Sequence, residues 1–511
     1  MWALLAAVRP GLRLFRVGRG LQTPHPVPPW PPCSVRALVA AGRWDPGNRR
    51  LGGVDGRGCG ERPEDDQEEE EEEKDEAELL SHQPLLLAGA QRVCVLHPDV
   101  KGGTSHRSSA EWQVAEAAAL VHTLHGWSVV HTMVVATRTP GRKLIFGKGN
   151  LAQVTETIRA HPEITSVFLN VEQMSSATKM ELEAAWGVEV FDRFTLVLHI
   201  FRHNAQTREA RLQVALAEIP LLRSSLKSSS ACQDQPGRGS RYIMGSGELQ
   251  PTDLQQRVLK EREAKIKRAL ERLCRKRGLL RRERARRELP VVSVVGYTNC
   301  GKTTLIKALT GDAAIEPRDQ LFATLDVTAH MGTLPSRMAI LYVDTIGFLS
   351  QLPHGLIQSF SATLEDVVHS DVIIHVRDVS HPDSELQKAS VLSTLCGLHL
   401  PSTLLDSMVE VHNKVDLVPG YSPPGSRVLA VSALLGCGLD QLKAALEAAV
   451  LKATGRQVMT LRIRLAGPQL SWLYKEAAVQ QVDVVPEAGE AHVTVIMSQA
   501  AYGKFRKLFP D

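Results

Sequence analysis

A segment with the spacing of a phosphate-binding loop follows a run rich in valine. Four of residues 291–295 are valine, and residues 296–303 (GYTNCGKT) fit the pattern G-x-x-x-x-G-K-[ST]. Such a valine run is typical of a strand buried in a parallel sheet, and residues 305–309 predict a helix directly after the loop. In this setting Gly301 lets backbone N–H groups turn towards phosphates, which the positive end of the helix also attracts.

The side chains of this loop predict how a nucleotide would be held. Lys302 reaches the terminal phosphates, and the Thr303 hydroxyl binds Mg²⁺. Cys300 stands where a small residue is needed, so we expect it to pack within the loop instead of acting as a nucleophile.

Short polar motifs follow the next predicted strands. Residues 321–326 (LFATLD) supply Thr324, which in a mobile loop can bind Mg²⁺ and sense the γ-phosphate. A strand at residues 338–343 leads to the motif DTIG, in which Asp344 is expected to hold Mg²⁺ through water. The N–H group of Gly347 is expected to meet the γ-phosphate.

The tetrapeptide NKVD, which begins at Asn413, predicts a preference for guanine. The Asp416 carboxylate can accept hydrogen bonds from N1–H and the 2-amino group, donors that adenine lacks. Lys414 would cover the base with its alkyl stem, and the backbone of Ser432 and Ala433 would meet the base oxygen. Because ligands of open α/β sheets bind at the carboxyl ends of strands, this order of motifs predicts GTP as substrate, with Mg²⁺.

These motifs assign site residues to three roles. The catalytic residues are expected to be Lys302, Thr324 and Gly347, and the metal ligands Thr303 and Thr324. The residues expected to contact the nucleotide are Asn299, Cys300, Gly301, Lys302, Thr303, Thr304, Phe322, Ala323, Thr324, Asp344, Gly347, Asn413, Lys414, Asp416, Ser432 and Ala433.

Two residues of the motifs bear on the rate of hydrolysis. Phe348 follows Gly347, where many GTPases place a glutamine that orients the attacking water. A phenyl ring cannot polarise water, so we expect slow intrinsic hydrolysis, with the missing groups supplied by a partner or a cation. Asn299 resembles the asparagine that holds K⁺ in some cation-activated GTPases. The alternative is that its side chain stabilises the loop by hydrogen bonding.

The N-terminal segments differ in composition from the rest of the chain. Residues 1–44 contain no Asp or Glu and place arginines among Leu, Ala and Val, the pattern of a mitochondrial transit peptide; a disordered basic tail is the alternative. Residues 45–90 include an acidic block at 61–78 that should stay solvated as a linker. No apolar run approaches the roughly 18 residues of a membrane span.

Residues 91–194 alternate predicted strands and helices, which indicates βα units over a parallel sheet. A Gly-Lys-Gly segment at 146–150 opens one of these helices. Glycine loops serve turns as often as phosphates, so the segment predicts a turn, with a second nucleotide site as the alternative.

Two long helices, at 195–226 and 253–288, are predicted on either side of a polar loop at 227–250, which suggests an antiparallel hairpin. The second helix has too few acids to neutralise its many Lys and Arg residues by pairing. This excess favours a polyanion such as RNA as partner, with a merely solvated face as the alternative.

The whole chain is therefore expected to be α/β, with a sheet in the nucleotide domain that is mixed, mostly parallel and covered by helices on both faces. The C-terminal end predicts a small α+β unit of βαββα order. The predicted parts are a targeting segment (1–44), an acidic linker (45–90), an N-terminal α/β domain (91–194), a basic helical hairpin (195–288), a P-loop GTPase domain (289–455) and a C-terminal α+β domain (456–511).

The motifs resemble those of the HflX family of translational GTPases. Those that carry the resemblance are GYTNCGKTTL (296–305), LFATLD (321–326), DTIGF (344–348) and NKVD (413–416). VFDRFTLVLHIFRHNAQTREARLQVALAEI (190–219) is similar to the segment that joins the family's N-terminal domain to its hairpin. One departure is the hairpin loop, where YIMGSGELQ (242–250) replaces a GxGPGETQLE-type sequence.

The resemblance implies a GTP-hydrolysing enzyme that binds the large ribosomal subunit and splits or recycles ribosomes. With the targeting segment, it implies the mitochondrial large subunit and its rRNA as partners, and the mitochondrial matrix as location. We expect a monomer that uses GTP and Mg²⁺, with K⁺ left open. The alternatives are a biogenesis factor for the large subunit and a GTP-binding scaffold that does not hydrolyse.

Overall fold

The computed structural model describes residues 89–100, 107–137, 145–233, 251–286, 289–349, 361–398, 400–425, 428–465, 467–485 and 489–510. The predicted targeting segment, the acidic linker up to residue 88, residues 234–250 of the hairpin loop and Arg287 lie outside this part of the chain. Within it, no helix combines the length and the apolar character needed to cross a membrane.

The first sheet is parallel, as its alternating pattern predicts. Its strands are β1 (Gln91–Val100), β2 (Trp127–Thr137), β3 (Ser166–Leu169) and β4 (Glu189–Phe191), and its helices are α1 (Arg107–Thr123), α2 (Lys148–Ala160) and α3 (Ser176–Trp186). The strand order is β2-β1-β3-β4, and every neighbouring pair is parallel. All four residues of β3 are buried, as expected for a strand inside such a sheet.

Three helices follow: α4 (Arg193–Asn204), α5 (Arg208–Gln233) and α6 (Pro251–Arg286). The prediction of one helix over 195–226 is wrong, because the chain leaves helical geometry at residues 205–207, which we call the helix break. Ala205 is extended, with φ of −67° and ψ of 108°. Thr207 then starts α5 by accepting a hydrogen bond from the Ala210 N–H with its hydroxyl at 3.1 Å.

Helices α5 and α6 form the predicted antiparallel hairpin. Glu209 at the start of α5 pairs with Arg277 late in α6, whereas Arg223 further along α5 pairs with Glu263 early in α6. Between these ion pairs lies an apolar seam made of Leu212, Ala215, Ile219, Ile266 and Ala269.

The second sheet has six strands and is mixed but mostly parallel, as predicted. Its strands are β5 (Val291–Gly296), β6 (Thr328–Thr333), β7 (Ala339–Asp344), β8 (Val372–Asp378), β9 (Val409–Asn413) and β10 (Leu429–Ala430). Its helices are α7 (Lys302–Thr310), α8 (Ser361–Val368), α9 (Ser384–Gly397), α10 (Ser402–Asp406) and α11 (Leu439–Thr454). The order is β10-β9-β8-β5-β7-β6, and β6 alone of these strands runs antiparallel to its neighbour.

The C-terminal unit has the predicted βαββα order. It consists of β11 (Gln457–Arg464), α12 (Gln469–Glu476), β12 (Ala478–Val485), β13 (Glu490–Met497) and α13 (Gln499–Leu508). Its strands form an antiparallel sheet of order β11-β13-β12.

One apolar cluster connects the first sheet, helices α4 and α5 (which we call the middle helices) and the second sheet. It includes Val95 of β1, Phe201 of α4 and Val295 of β5, all of them buried. The domain boundaries drawn from the sequence at 194 and 289 stay predictions, and this shared core crosses both of them.

Arginines near the end of α6 bind acidic residues of α8. Arg281 donates to Asp366 Oδ1 at 2.7 Å and lies 3.1 Å from Glu365 Oε1. Arg277 lies 2.7 Å from Glu209 Oε1. Both arginines belong to the excess of cations on α6 from which an RNA partner is predicted, but in the structure both pair with carboxylates of the chain itself.

The pairing with Arg281 predicts a pH-dependent contribution of Glu365 to stability. Burial disfavours the charged form of Glu365, but hydrogen bonds from Arg281 and Cys274 outweigh it and lower its pKa from 4.5 to about 2. A carboxylate with a lowered pKa stabilises the folded state above its unfolded-state pKa, and this contribution disappears as pH falls towards the folded-state pKa. The stabilising window therefore closes between about pH 4.5 and about pH 2.

We expect the Glu365→Gln variant to have a lower free energy of unfolding than the parent chain above about pH 5, with a difference that shrinks as the pH falls towards 3. Urea titrations at a series of pH values measure this difference. A gap between the two chains that does not change with pH would contradict the assignment.

Candidate functional site

The predicted motifs meet at one edge of the second sheet. Strand β5 leads into residues 296–303, which we call the glycine loop, while β7 ends at Asp344 and β9 ends at Asn413. Strand β10 precedes Ser432. Because these strands are parallel neighbours or near neighbours, their carboxyl ends share an edge, where open α/β sheets bind ligands.

The backbone of the glycine loop requires two of its glycines. Gly301 has a φ of +91°, and a Cβ atom there would lie 2.4 Å from Asn413 Nδ2. A Cβ atom on Gly296 would lie 2.4 Å from the Val376 carbonyl oxygen. The loop therefore passes close to β8 and β9 and turns directly into α7, whose first N–H groups have no partner within the helix.

Lys302 folds back over the loop that precedes it. Its ammonium donates to the carbonyl oxygens of Tyr297 at 3.0 Å and Gly296 at 3.4 Å. A Cβ atom on Gly347 would lie 3.1 Å from Lys302 Nζ and 2.8 Å from Thr298 Cγ2. Lys302 and Gly347 are thus adjacent, and the backbone of Gly347 crosses the glycine loop at close range.

Three oxygen-bearing side chains converge beside this lysine. Thr303 Oγ1 donates to Asp344 Oδ2 at 2.6 Å, and Thr324 Oγ1 donates to the same oxygen at 3.2 Å. The two hydroxyls are 3.1 Å apart. The two predicted metal ligands and the predicted aspartate therefore lie within hydrogen-bonding distance of one another.

The electrostatics of Asp344 fit a bound cation. The residue is fully buried, and this burial raises the pKa of its carboxyl group although the Lys302 charge opposes the shift. Its second oxygen, Oδ1, accepts no hydrogen bond from any described residue. Mg²⁺ prefers hard oxygen ligands with one or two carboxylates, so the residues present suit this ion.

A cavity of about 50 Å³ lies at this point. A larger cavity, of about 600 Å³, lies at the base of α6 and contains none of the predicted residues. The predicted residues that line the small cavity are Asn299, Gly301, Lys302, Thr303, Thr304, Phe322, Ala323, Thr324 and Gly347.

Cys300 and Asn413 lie behind the loop. The Cys300 thiol is buried, which raises its pKa and makes it a poor nucleophile, while its carbonyl accepts from Asn413 Nδ2 at 2.9 Å. Asn413 Oδ1 in turn accepts from the Ala433 N–H at 3.0 Å. One asparagine thus connects the glycine loop to the Ser432–Ala433 segment.

The remaining residues of the NKVD motif lie further out. Lys414 has a φ of +63°, and its ammonium lies 2.7 Å from Asp378 Oδ2. Asp416 is exposed in the 3₁₀ turn Val415–Leu417, and its carboxylate is open to solvent. Asp416 is therefore solvent-exposed and does not line the small cavity around Lys302.

Sequence reasoning missed two acids near this site. Asp378 ends β8 and holds Lys414; its position directly after an apolar strand, like that of Asp344, was the available signal. Asp319 accepts from Asn299 Nδ2 at 2.9 Å, and Asn299 has a φ of +60°. This bond supports the loop-stabilising interpretation of Asn299 and gives the K⁺ alternative no support.

The Gly-Lys-Gly segment does not form a second cradle. Gly147 has an ordinary φ of −65°, and a Cβ atom on Gly147 or Gly149 would meet nothing within 4 Å. Asn150 Nδ2 donates to the Ala136 carbonyl at 2.6 Å. The segment caps and starts α2, which is what the turn alternative predicts.

Three family models match successive parts of the chain. "GTP-binding GTPase N-terminal" matches residues 111–202, "GTP-binding GTPase Middle Region" matches residues 204–284, and "50S ribosome-binding GTPase" matches residues 291–409. The matches begin in α1 and end at the first residue of β9.

Known proteins are similar over most of the chain. Human GTP-binding protein 6 is 71% identical over 521 residues, covering 100% of both chains. The GTPase HflX of Magnetococcus marinus is 34% identical over 388 residues, which cover 75% of this chain and 87% of that protein. A crystal structure of a GTP-binding protein from Sulfolobus solfataricus in complex with GDP covers 71% of this chain and 99% of that one, at 22% identity and a TM-score of 0.37.

The two glycine-lysine segments can be compared by matched substitutions. We expect Gly301→Ala to lower the free energy of unfolding by more than about 1 kcal/mol and to abolish nucleotide binding, because Ala is strained at positive φ and its Cβ would displace Asn413. Gly149→Ala should leave nucleotide binding intact and stabilise α2 by about 0.5–1 kcal/mol. Urea titration and labelled-GTP binding measure both effects. Equal behaviour of the two variants would contradict the assignment of the cradle.

Proposed function

This chain belongs to the HflX family of GTPases and is a GTP-hydrolysing enzyme, and on that premise we propose that it works on the large subunit of mitochondrial ribosomes. In this proposal GTP and Mg²⁺ bind at the glycine loop. The convergence of Thr303, Thr324 and Asp344 beside Lys302 is the observation that carries the assignment of the site.

Each residue of the site has a role that its position supports. Lys302 and the free N–H groups at the start of α7 bind the phosphates. Thr303 and Thr324 would hold Mg²⁺, and the Asp344 carboxylate beside them would contribute negative charge. The Gly347 N–H meets the γ-phosphate. Mg²⁺, when bound, would neutralise the negative charge that develops on the β- and γ-phosphates.

The guanine end is formed by the NKVD motif. Asn413 ties the loop around the base to the glycine loop, and Asp378 holds Lys414 in place to cover the base. The exposed carboxylate of Asp416 is free to accept the two guanine donors. Recognition of the base and of the phosphates is therefore linked through one asparagine.

The side chain at position 348 cannot orient the attacking water. The Phe348 side chain is buried in the apolar cluster, and its N–H and carbonyl groups bond to Gly296 and Thr298 of the glycine loop. Hydrolysis is therefore slow in the free protein and stimulated by a partner, which we propose is the ribosome. The alternative of a scaffold that does not hydrolyse is set aside, because the family is one of GTPases.

Two observations support a ribosomal partner. The family model described as "50S ribosome-binding GTPase" matches the segment that contains the glycine loop. Helix α6 also exposes Lys260, Arg275 and Arg282, for which the described residues provide no acidic partner. Such a row of unpaired cations suits the phosphates of rRNA.

The biological step we propose is the splitting or recycling of ribosomes in the mitochondrial matrix. The composition of residues 1–44 supports the location, since it matches that of a transit peptide. The relation to the HflX family supports the ribosomal step. Assembly of the large subunit is the competing outcome of the test below.

The guanine assignment predicts a change of base preference. Asp416→Asn should weaken GTP binding about tenfold or more and improve xanthosine triphosphate binding, because the amide donates where the carboxylate accepted. Lys302→Ala should remove binding of both nucleotides. Competition against labelled GTP measures the two affinities. An unchanged ratio of GTP to xanthosine triphosphate affinity in Asp416→Asn would show that another residue reads the base.

The ribosomal proposal predicts loss of monosomes. Purified protein with GTP should convert mitochondrial monosomes to subunits in sucrose gradients. The double variant Lys260→Glu/Arg275→Glu should bind ribosomes more weakly, with a slope of log affinity against log salt reduced by about 2. Lys452→Glu/Lys475→Glu, which reverses two exposed cations outside α6, serves as the charge-matched control.

Intact monosomes with the unaltered protein would overturn the splitting role. Accumulation of immature large subunits after depletion of the protein, with monosomes unaffected in the gradient, would favour the assembly alternative. Equal weakening by the two double variants would show that α6 is not the rRNA-binding surface.

A further inference from the structure

The residues 321–326 around Thr324, which we call the threonine loop, are anchored from outside the second sheet. Phe322 lies two residues before Thr324, and its carbonyl accepts from Asn204 Nδ2 at 2.9 Å. Its φ is +55°, a conformation that bulky residues rarely adopt. The ring is buried and meets Phe201 edge to face, with centroids 4.8 Å apart. Both contacts come from the last turn of α4.

The other side of Thr324 is anchored in the same way. Asp326 lies two residues after Thr324, and its Oδ2 atom accepts from the N–H groups of Gln206 at 3.0 Å and Thr207 at 3.3 Å. The Thr207 hydroxyl donates to Asp326 Oδ1 at 2.5 Å. All three donors belong to the helix break. N–H groups at the start of a helix have no acceptor within it, and here the Asp326 carboxylate accepts from them at the positive end of α5.

These two anchors leave Thr324 little freedom. The chain is anchored two residues before it through the Phe322 backbone carbonyl and two residues after it through the Asp326 side chain. The Thr324 hydroxyl lies 3.1 Å from Thr303 Oγ1. We propose that Asn204 and Thr207 are positioning residues of the GTPase site, which hold the threonine loop so that Thr324 faces Thr303 and Asp344. The inference rests on the proposed function, in which Thr324 binds Mg²⁺ in the GTP state.

The arrangement has a consequence for the helix break itself. If the helix break holds the threonine loop in place, then a ligand that fixes Thr324 must stabilise the helix break by the same coupling, because linkage between two sites is reciprocal. The N–H groups of Gln206 and Thr207 report this directly, since Asp326 is their acceptor. GTP should therefore tighten the junction between α4 and α5, and GDP, which lacks the γ-phosphate, should not.

The decisive measurement compares GTP with GDP. Thr324 is expected to act only in the triphosphate complex, so a positioning defect lowers affinity for GTP, whereas simple loss of stability lowers affinity for both. We expect Thr207→Val to weaken binding of a non-hydrolysable GTP analogue about fivefold and to change GDP affinity less than about twofold. It should also raise the Mg²⁺ concentration needed for half-maximal GTPase activity.

Two further variants separate positioning from helix capping. Thr207→Ser keeps the hydroxyl and should restore the affinity for the GTP analogue. Ser175→Ala removes a comparable capping hydroxyl from α3, where Ser175 accepts from the Thr178 N–H at 3.2 Å, and should change neither nucleotide affinity. Hydrogen exchange of a peptide covering residues 205–210 should be slower with the GTP analogue than with GDP in the unaltered protein.

The outcomes are distinct. Equal losses of GTP and GDP affinity in Thr207→Val, no loss at all, or identical exchange of residues 205–210 in both nucleotide states would overturn the inference while the proposed function stands. Failure of the unaltered protein to bind either nucleotide would instead overturn the proposed function, and the inference with it.

Discussion

A carboxylate that is removed from water needs hydrogen-bond donors or a positive charge nearby. Because Asp344 is buried, the segments around it must supply these groups. Its carboxylate lies at the end of a buried strand, with Thr303, Thr324 and the Lys302 charge around it. These three come from two different loops, so the fold must bring both loops to the same strand end. The glycines of the glycine loop permit this close approach. In the proposed function, Mg²⁺ and its waters would supply the partner that Asp344 Oδ1 lacks among the described residues.

The two loops differ in the segments that anchor them, although Thr324 itself also bonds to Asp344 at the end of β7. The glycine loop bonds to Phe348 and Asn413, both within the second sheet's own segment. The threonine loop depends on α4 and the helix break. The middle helices thus form part of the support of the nucleotide site, because Asn204 and Thr207 hydrogen-bond directly to the threonine loop.

A second link joins the nucleotide site to the first sheet. The Tyr297 hydroxyl donates to Glu116 of α1 at 2.6 Å, Glu116 pairs with Arg193, and Arg193 donates to Asn170 Oδ1 at 3.0 Å. Arg193 is almost fully buried, so breaking this chain of bonds would strand a charge in the interior. The glycine loop is therefore coupled by polar contacts to the N-terminal part as well as by the shared apolar core.

The sequence predicted what local chemistry determines. A run of valines, a glycine-lysine motif and polar residues after apolar strands each act within a few residues, so the strands, the sheet and the convergence at its edge could be inferred. The helix break could not, because its acceptor Asp326 lies 119 residues further along the chain from Thr207. The roles of Arg277 and Arg281 were missed for the same reason. Within the helix they look like unneutralised charge. Their acidic partners come from other segments: Glu209 at the start of α5 for Arg277, and Asp366 on α8 for Arg281.

The same reasoning accounts for the residue after Gly347. Phe348 packs into the apolar cluster that also holds Tyr297, Phe322 and Phe201, and this cluster is where the middle helices meet the glycine and threonine loops. A glutamine at this position would place an amide in that core, where it would need hydrogen-bond partners that an apolar cluster does not offer. Phe348 therefore strengthens the packing of the middle helices against the glycine and threonine loops. In exchange, this position lacks a side chain that could orient water. Under the proposed function, such an enzyme would fix its Mg²⁺ ligands internally and would depend on the surface to which it binds for the orientation of the attacking water.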